Sequence, residues 1–164
     1  MSPTSDFEEA KSVLGQAERY DLLPRHSGMR VLLRVWAYPT FTPCMSWTVI
    51  IASSVFYVRR LTWDQSRHTT GTFAFFGSES LLPKEIWSPF AAELDRQTIQ
   101  PFVPINGIFR DGTIFGIERI SDCVTARLTW WQYPPPGWEA LARWHTAVIA
   151  AFQSLLPVHH IQRP

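Results

Sequence analysis

The spacing of hydrophobic residues near the start of the chain predicts a helix. Apolar side chains recur there at intervals of three and four residues, which places four of them on one face: Phe7, Ala10, Leu14 and Ala17. Ser5 and Glu8 stand at the spacing of a capping box, in which each side chain satisfies a backbone N–H of the first turn. The pattern breaks between Asp21 and Gly28, where Pro24 stands.

From Met29 the period changes to two, which is the alternation of a strand. Three runs rich in β-branched and aromatic residues predict strands, and a shorter fourth run follows them: 29–38, 46–52, 55–63 and 71–78. Ser53 and Ser54 leave room for a tight hairpin between the second and third runs. Such short connections favour antiparallel pairing.

Two further helices are predicted. The middle helix lies within 81–97 and has an apolar stripe formed by Ile86, Trp87, Phe90 and Leu94. Pro83 suits its first turn. Pro89 lacks a donor and clashes with the preceding turn, so either the helix kinks there or Ser88 caps a new helix. The last helix, 138–156, has a stripe formed by Leu141, Trp144, Val148, Phe152 and Leu155.

A hairpin is predicted between these two helices, with strands at 113–120 and 123–131. A two-residue loop at 121–122 would close it. In that register Glu118 and Arg127 lie diagonally across the strands, within reach of an ion pair.

The doubled tryptophan of this hairpin is divided between the two faces of the sheet, because successive side chains of a strand point in opposite directions. Trp130 falls on the mostly apolar face, which is expected to be core, together with Phe115, Ile117 and Leu128. Trp131 falls on the more polar face, near the turn residue Gly112. The pair is therefore mainly architectural, and Trp131 alone is a candidate for contact with a partner.

The order of elements predicts an α+β fold: a mainly antiparallel sheet of about five or six strands, with helices at the N-terminus, middle and C-terminus packed on one face. The 164 residues are most simply one domain, 1–164, with 1–4 and 158–164 as flexible tails. Hydrophobic residues make up 46% of the chain and include eight tryptophans, enough for a globular core rather than a disordered chain.

Charge and cysteine content narrow the class of function. A net charge of +1 gives no general attraction to nucleic acid or anionic lipid. The sequence contains neither a run of about eighteen apolar residues nor a recognisable secretory signal. Two cysteines are too few for a disulfide framework and match no zinc spacing. We therefore expect a cytoplasmic protein with reduced thiols and without nucleic-acid or membrane partners.

Catalytic chemistry has one weak candidate in the sequence. Cys123 and His145 are a possible nucleophile and base, with Asp122 or Glu118 to orient the base. A small hydrolase-like enzyme would then have its site around Asp111, Glu118, Cys123 and His145. The favoured interpretation is structural, with Cys123 as a small buried residue and His145 on a helix surface. Asp111 is then a turn residue and Glu118 the partner of a cross-strand ion pair.

No cofactor or metal is predicted. The sequence has no phosphate-cradling glycine loop, G-x-S-x-G elbow, H-E-x-x-H or C-x-x-C motif. His159 and His160 stand together in a polar tail, where histidines are usually solvated. Zinc would need three or four converging ligands.

Arginines alternate with aromatic residues on the strands of the first sheet region. Arg30 and Arg34 share a predicted face with Leu32 and Trp36. Arginine beside aromatic surface suits recognition of carboxylates or of an acidic protein. The alternative is a solvated face whose arginine stems cover the aromatic rings. The predicted partner-binding residues are Arg30, Arg34, Trp36, Arg60 and Trp131.

Three segments carry a resemblance: "FGSESLLPKEIWSPFAAEL", "DGTIFGIE" and "LTWWQYPPPGWEALARW". They resemble a recurrent group of small uncharacterised bacterial proteins, over about the last ninety residues. The resemblance implies no activity and no functional residues, although some compact bacterial proteins of this style are immunity proteins that neutralise a cognate toxin. The prediction is a non-catalytic protein-binding domain, with toxin immunity as its concrete form. A small enzyme and a structural or oligomer-forming module are the alternatives.

Overall fold

The period-two segments form strands that pair in a single antiparallel sheet of order β6-β5-β1-β2-β3-β4-β7. The computed structural model describes residues 10–21, 23–64, 74–100, 111–157 and 161–162. The strands are β1 (Arg30–Pro39), β2 (Cys44–Ala52), β3 (Val55–Asp64), β4 (Ala74–Leu81), β5 (Thr113–Ile120), β6 (Thr125–Trp131) and the two-residue β7 (Ile161–Gln162). The described part of helix α1 covers 10–14, and a 3₁₀ turn follows at Ala17–Arg19. Helix α2 is Lys84–Asp95 and helix α3 is Glu139–Leu155.

These elements confirm the predicted α+β class and the helices at the N-terminus, middle and C-terminus. Strand β7 pairs with β4 inside the segment predicted as a C-terminal tail. The predicted capping box of Ser5 and Glu8 and the paired His159 and His160 lie outside the described residues. Among the residues that are described, no helix has the length and apolar character needed to cross a membrane.

The tight β2–β3 hairpin is confirmed. Ala52 pairs with Val55, and both residues of the turn between them have positive φ, 48° at Ser53 and 67° at Ser54. Two successive positive φ values are those of a type I′ turn, whose twist matches the flanking strands.

The expectation that all helices pack on one face of the sheet is wrong. Helices α2 and α3 cover one face, where the larger core includes Leu33, Val35 and Trp144. The N-terminal segment covers the opposite face, where Leu14 packs with Trp36 among other residues. Central strands such as β1 are apolar on both faces, and a sheet of that kind must be covered twice to remove its apolar surface from water.

Helix α2 is continuous, with Pro89 inside it, so the alternative in which Ser88 starts a new helix is wrong. Pro83 occupies the position before its first turn, and the Pro83 carbonyl accepts hydrogen bonds from Ile86 and Trp87. In helix α3 the predicted stripe is confirmed. Its buried members are Leu141, Trp144, Val148 and Phe152.

The β5–β6 hairpin has the predicted faces but a longer loop. Ile120 pairs with Thr125, so the loop has four residues, 121–124, rather than two. The Ser121 N–H donates to the Val124 carbonyl at 2.9 Å, and the Ser121 hydroxyl accepts from the Val124 N–H at 3.1 Å. A slip of two residues preserves the side-chain alternation. Trp130 is therefore in the core and Trp131 on the opposite face, as predicted.

Candidate functional site

The five residues predicted to bind a partner do not form one open surface. Arg30 is exposed and pairs with Asp122 at 2.5 Å. Trp131 is half-buried beside Gly112, as predicted. A bulge between Val31 and Leu33 interrupts the alternation of β1, so Leu32 packs with the helices and does not share a face with Arg34. The remaining three residues are largely enclosed: Arg34, Trp36 and Arg60.

Arg60 lies on the face of the sheet that α2 and α3 cover, where it contacts the end of α3. Its guanidinium donates to the Gln153 side chain, to the Pro157 carbonyl at 3.0 Å and to the Ser78 hydroxyl at 3.3 Å. Burial lowers the pKa of Arg60. An arginine at a helix C-terminus also satisfies carbonyl groups that the helix leaves free. These contacts make Arg60 part of the framework.

Arg59, the neighbour of Arg60, holds the N-terminal segment on the other face and is completely buried. Its Nε donates to Glu79 at 2.6 Å, and its terminal nitrogens donate to the backbone carbonyls of Glu18, at 3.0 Å, and of Pro24. The sequence predicted no function for Arg59. Only the fold shows that the two adjacent arginines anchor the two covering layers.

Arg34 lies beneath this N-terminal layer between two carboxylates. It donates to Glu18 at 2.6 Å and to Glu118, and all three side chains are more than four-fifths buried. Burial alone lowers the pKa of Arg34, but the hydrogen bonds and charges of Glu118 and Glu18 outweigh it, so the net pKa is raised. Arg34 is therefore a permanently charged ion-pair centre rather than an open partner-binding cation.

The predicted ion pair between Glu118 and Arg127 is wrong, although the two residues are directly opposite in register. Glu118 also lies opposite Arg34 on β1, and Arg34 is the arginine that it pairs with. Arg127 instead places its guanidinium carbon 5.0 Å from the centre of the Trp36 ring. This distance is typical of a cation–π contact.

Trp36 lies flat across β5 because its strand partner there is Gly116. A Cβ atom at Gly116 would collide with the six-membered part of the Trp36 ring. The indole thus packs against the glycine backbone and also contacts Arg127. The absent side chain at Gly116 creates the space for this stack.

We expect Gly116→Ala to displace the Trp36 ring and to remove the Arg127 stack. The displaced indole loses its close packing against β5. Overpacking of this kind should cost about 1–3 kcal/mol of unfolding free energy. The measurement is urea unfolding together with the Trp36 indole N–H signal in an NMR spectrum. An unshifted Trp36 signal together with an unchanged unfolding free energy in Gly116→Ala would contradict this packing.

A pocket of about 230 Å³ opens beside this stack, between the N-terminal layer and strands β1, β5 and β6. Leu14, Ile114 and Trp36 supply apolar wall, and Tyr38 and Arg127 supply polar groups. Lys11, Arg34 and Glu118 also line it. The pocket therefore combines aromatic surface with an exposed guanidinium.

The Tyr38 side chain is buried, and its hydroxyl makes no hydrogen bond with any residue described in the structure. Burial, reinforced by nearby Cys44 and opposed by Arg127 and Arg34, raises the pKa of Tyr38 well above its ordinary value. The phenol thus stays protonated at any physiological pH. Tyr38 lines the pocket, so this hydroxyl is the hydrogen-bond donor that the residue can offer there.

The residues of the alternative catalytic site do not converge. Asp111 precedes β5 and Cys123 follows it, so a strand of about 25 Å separates them. Glu118 pairs with Arg34 on the face of the sheet that the N-terminal segment covers, whereas His145 lies on the face that α3 covers. The expected environments are also reversed, since Cys123 is exposed and His145 is buried; the buried cysteine is Cys44.

His145 is a core residue on the apolar stripe of α3. Its Nε2 lies 3.2 Å from the carbonyl oxygens of both Trp36 and Gly116, so this nitrogen carries the hydrogen. The rings of Phe115 and Trp130 stand edge-on to it at 5.6 and 5.0 Å. Burial, partly opposed by the two carbonyl hydrogen bonds, lowers the pKa of His145 to about 4. Its position four residues after Leu141 was a sequence signal for burial.

Over the described segments, no group of three or more His, Cys, Asp or Glu side chains converges as metal ligands would. The pocket beside Trp36 and Arg127 is thus the site with the strongest recognition chemistry. Comparison of the chain with protein-family models, with curated proteins and with solved structures finds no match.

Proposed function

We propose that this chain is a non-catalytic protein-binding domain that recognises an acidic group of its partner at the Arg127 pocket. The observation that supports this most strongly is the state of Arg127. Its side chain is exposed, it rests on Trp36, and it makes no ion pair with any residue that the structure describes. A guanidinium held in place by an aromatic ring is preorganised for a carboxylate.

The size of the pocket favours a side chain over a cofactor. Its volume of about 230 Å³ is below the range of roughly 300–1,000 Å³ typical of sites for drug-sized ligands. Arginine, tyrosine and tryptophan are also the residues that most often dominate protein–protein binding energy. Arg127, Tyr38 and Trp36 bring these three types together in one pocket.

The surface beside the pocket supports an extended partner segment. Strand β6 ends the described sheet and pairs only with β5. Thr125, Ala126 and Thr129 on this strand are exposed. An edge strand with free backbone groups accepts a further strand, and its side chains would then lie beside Arg127.

Toxin immunity is the concrete form of this proposal, and it rests on the resemblance of the last ninety or so residues to small bacterial proteins. An immunity protein must bind its toxin tightly. The candidate partners to be tested are the products of neighbouring genes. Alternatively, a stable dimer in light scattering that buries β6 would favour an oligomer-forming module.

The test is calorimetric titration of the intact chain with each neighbouring gene product. For a true partner, Arg127→Gln should weaken binding by about 30-fold or more, as a central arginine contact does. Arg96→Gln, which neutralises an exposed arginine at the end of α2, is the matched control and should leave the affinity unchanged. Equal affinity of Arg127→Gln and the wild type would rule out this pocket as the recognition site. Binding to none of these products would contradict the immunity form.

A further inference from the structure

The two arginines that face Glu118 differ in their surroundings. Arg34 donates to Glu118 and, at 2.6 Å, to Glu18, and these three side chains are 12–18% exposed. Arg127 approaches Glu118 from strand β6 and is exposed to solvent. Buried ion pairs are screened much less than exposed ones, which favours the pair with Arg34. Arg34 therefore pairs with Glu118, the carboxylate that would otherwise neutralise Arg127.

The pocket around Arg127 supplies a second directional group. Tyr38 lines the same pocket, and its protonated hydroxyl makes no hydrogen bond within the described residues. One guanidinium and one phenol match the acceptor oxygens of a single carboxylate. Leu14 and Ile114 supply apolar wall for a short carbon chain attached to it.

We infer that this pocket binds one carboxylate on a short aliphatic stem, with Arg127 supplying the charge, Tyr38 donating a hydrogen bond, and Arg34 acting as a positioning residue that holds Glu118 away from Arg127. The inference names the ligand class at the site of the proposed function and rests on it. A glutamate side chain, a chain terminus and a free small acid share this chemistry.

The number of hydrogen-bond acceptors favours a carboxylate over a phosphate. Glu18 and Glu118 both contact Arg34, which leaves Arg127 as the guanidinium that faces the ligand. A phosphate would present more oxygens than one guanidinium and one hydroxyl satisfy.

The first test is an NMR titration of the intact chain that follows the Trp36 indole N–H. Butyrate should shift this signal with a dissociation constant on the order of millimolar, whereas inorganic phosphate and butanol should not. Arg127→Gln should abolish the shift, Tyr38→Phe should weaken it by about 5-fold, and Arg96→Gln should leave it unchanged. A response equal for butyrate and butanol, or butyrate binding that survives Arg127→Gln, would overturn the inference.

The second test uses the predicted competition for Glu118, because a purely structural role would not produce its signs. Glu118→Gln should strengthen butyrate binding by about 3- to 10-fold, since it removes a negative charge opposite Arg127. Arg34→Gln should weaken it, because Glu118 is then free to pair with Arg127. The double variant Arg34→Gln/Glu118→Gln should bind butyrate again, which separates competition from damage to the fold. Unchanged affinity in Glu118→Gln, or no recovery in the double variant, would refute the competition.

These results also separate the inference from the proposed function. If butyrate does not bind but Arg127→Gln still weakens a protein partner, the carboxylate pocket is wrong and recognition through Arg127 stands. If Arg127→Gln affects neither ligand, both proposals fail.

Discussion

Replacing Arg59 with methionine should lower the free energy of unfolding by about 3–5 kcal/mol, the usual consequence of removing one member of a buried ion pair. Methionine keeps an unbranched apolar stem, so the loss reports mainly on the guanidinium. Among the described residues, Glu79 would keep only His26, at 2.9 Å, as a side-chain partner. The carbonyls of Glu18 and Pro24 would lose the donor that holds them against the sheet.

The loss should be local as well as large, because Arg59 fastens one layer of the structure. Other contacts of that layer remain, including the Ser46 hydroxyl donating to the Leu14 carbonyl at 2.6 Å and Tyr20 packed against Gly77. We expect segment 10–26 to exchange its amide hydrogens faster in Arg59→Met while α3 keeps its protection.

Arg60→Met provides the matched comparison, since it alters the adjacent arginine on the opposite face. It should loosen 153–157 at the end of α3 and leave 10–26 protected. Arg25→Met, at an exposed surface pair, should change the unfolding free energy by less than about 0.5 kcal/mol. Denaturant unfolding combined with hydrogen exchange measures all three variants. The same exchange pattern in Arg59→Met and Arg60→Met would show that the layers are not separately anchored.

The second large effect is a loss of stability in mild acid caused by His145. Its pKa is about 4 in the folded chain, against 6.5 for an unperturbed histidine. Between these values the unfolded chain binds a proton that the folded chain does not. The contribution of His145 is therefore fully present above pH 6.5 and falls as the pH decreases toward 4. The loss over that interval is about 3 kcal/mol.

His145→Phe isolates this contribution, because it keeps a ring between Phe115 and Trp130 and removes the titrating nitrogen. Unfolding free energies of both proteins should be measured from pH 4 to pH 7.5. The unfolding free energy of the wild type minus that of His145→Phe should decrease by about 3 kcal/mol as the pH falls. An NMR titration should place the imidazole of the folded wild type near pH 4. A parallel pH dependence in the two proteins would show that His145 does not titrate as proposed.

The local pattern of hydrophobic and polar residues predicted most of the helices and strands, because these elements depend on residues that are close in the chain. Alternation along 113–131 assigned Trp130 to the core and Trp131 to the other face. That assignment survived an error in loop length, since a slip of two residues leaves the faces unchanged. Helix α3 was predicted within one residue at each end for the same reason.

Burial of individual polar residues was predicted poorly. His145 was assigned to a helix surface because of its residue type, although its spacing from Leu141 and Val148 placed it on the apolar stripe. Cys123 was assigned to the interior on residue type as well, yet it lies in the exposed loop 121–124. Residue type states an average preference, whereas burial is decided by what the fold places on top.

Which segments are strands and helices, and which way their side chains alternate, could be predicted from local pattern, because φ, ψ preferences and hydrophobic period act over a few residues. Which arginine pairs with which carboxylate depends on the arrangement of the strands in the sheet. Arg34 and Glu118 are 84 positions apart and meet because β1 and β5 are neighbours in the sheet. Because of that non-local pairing, Glu118 forms its ion pair with Arg34, and Arg127 contacts Trp36 instead. These contacts form the candidate site.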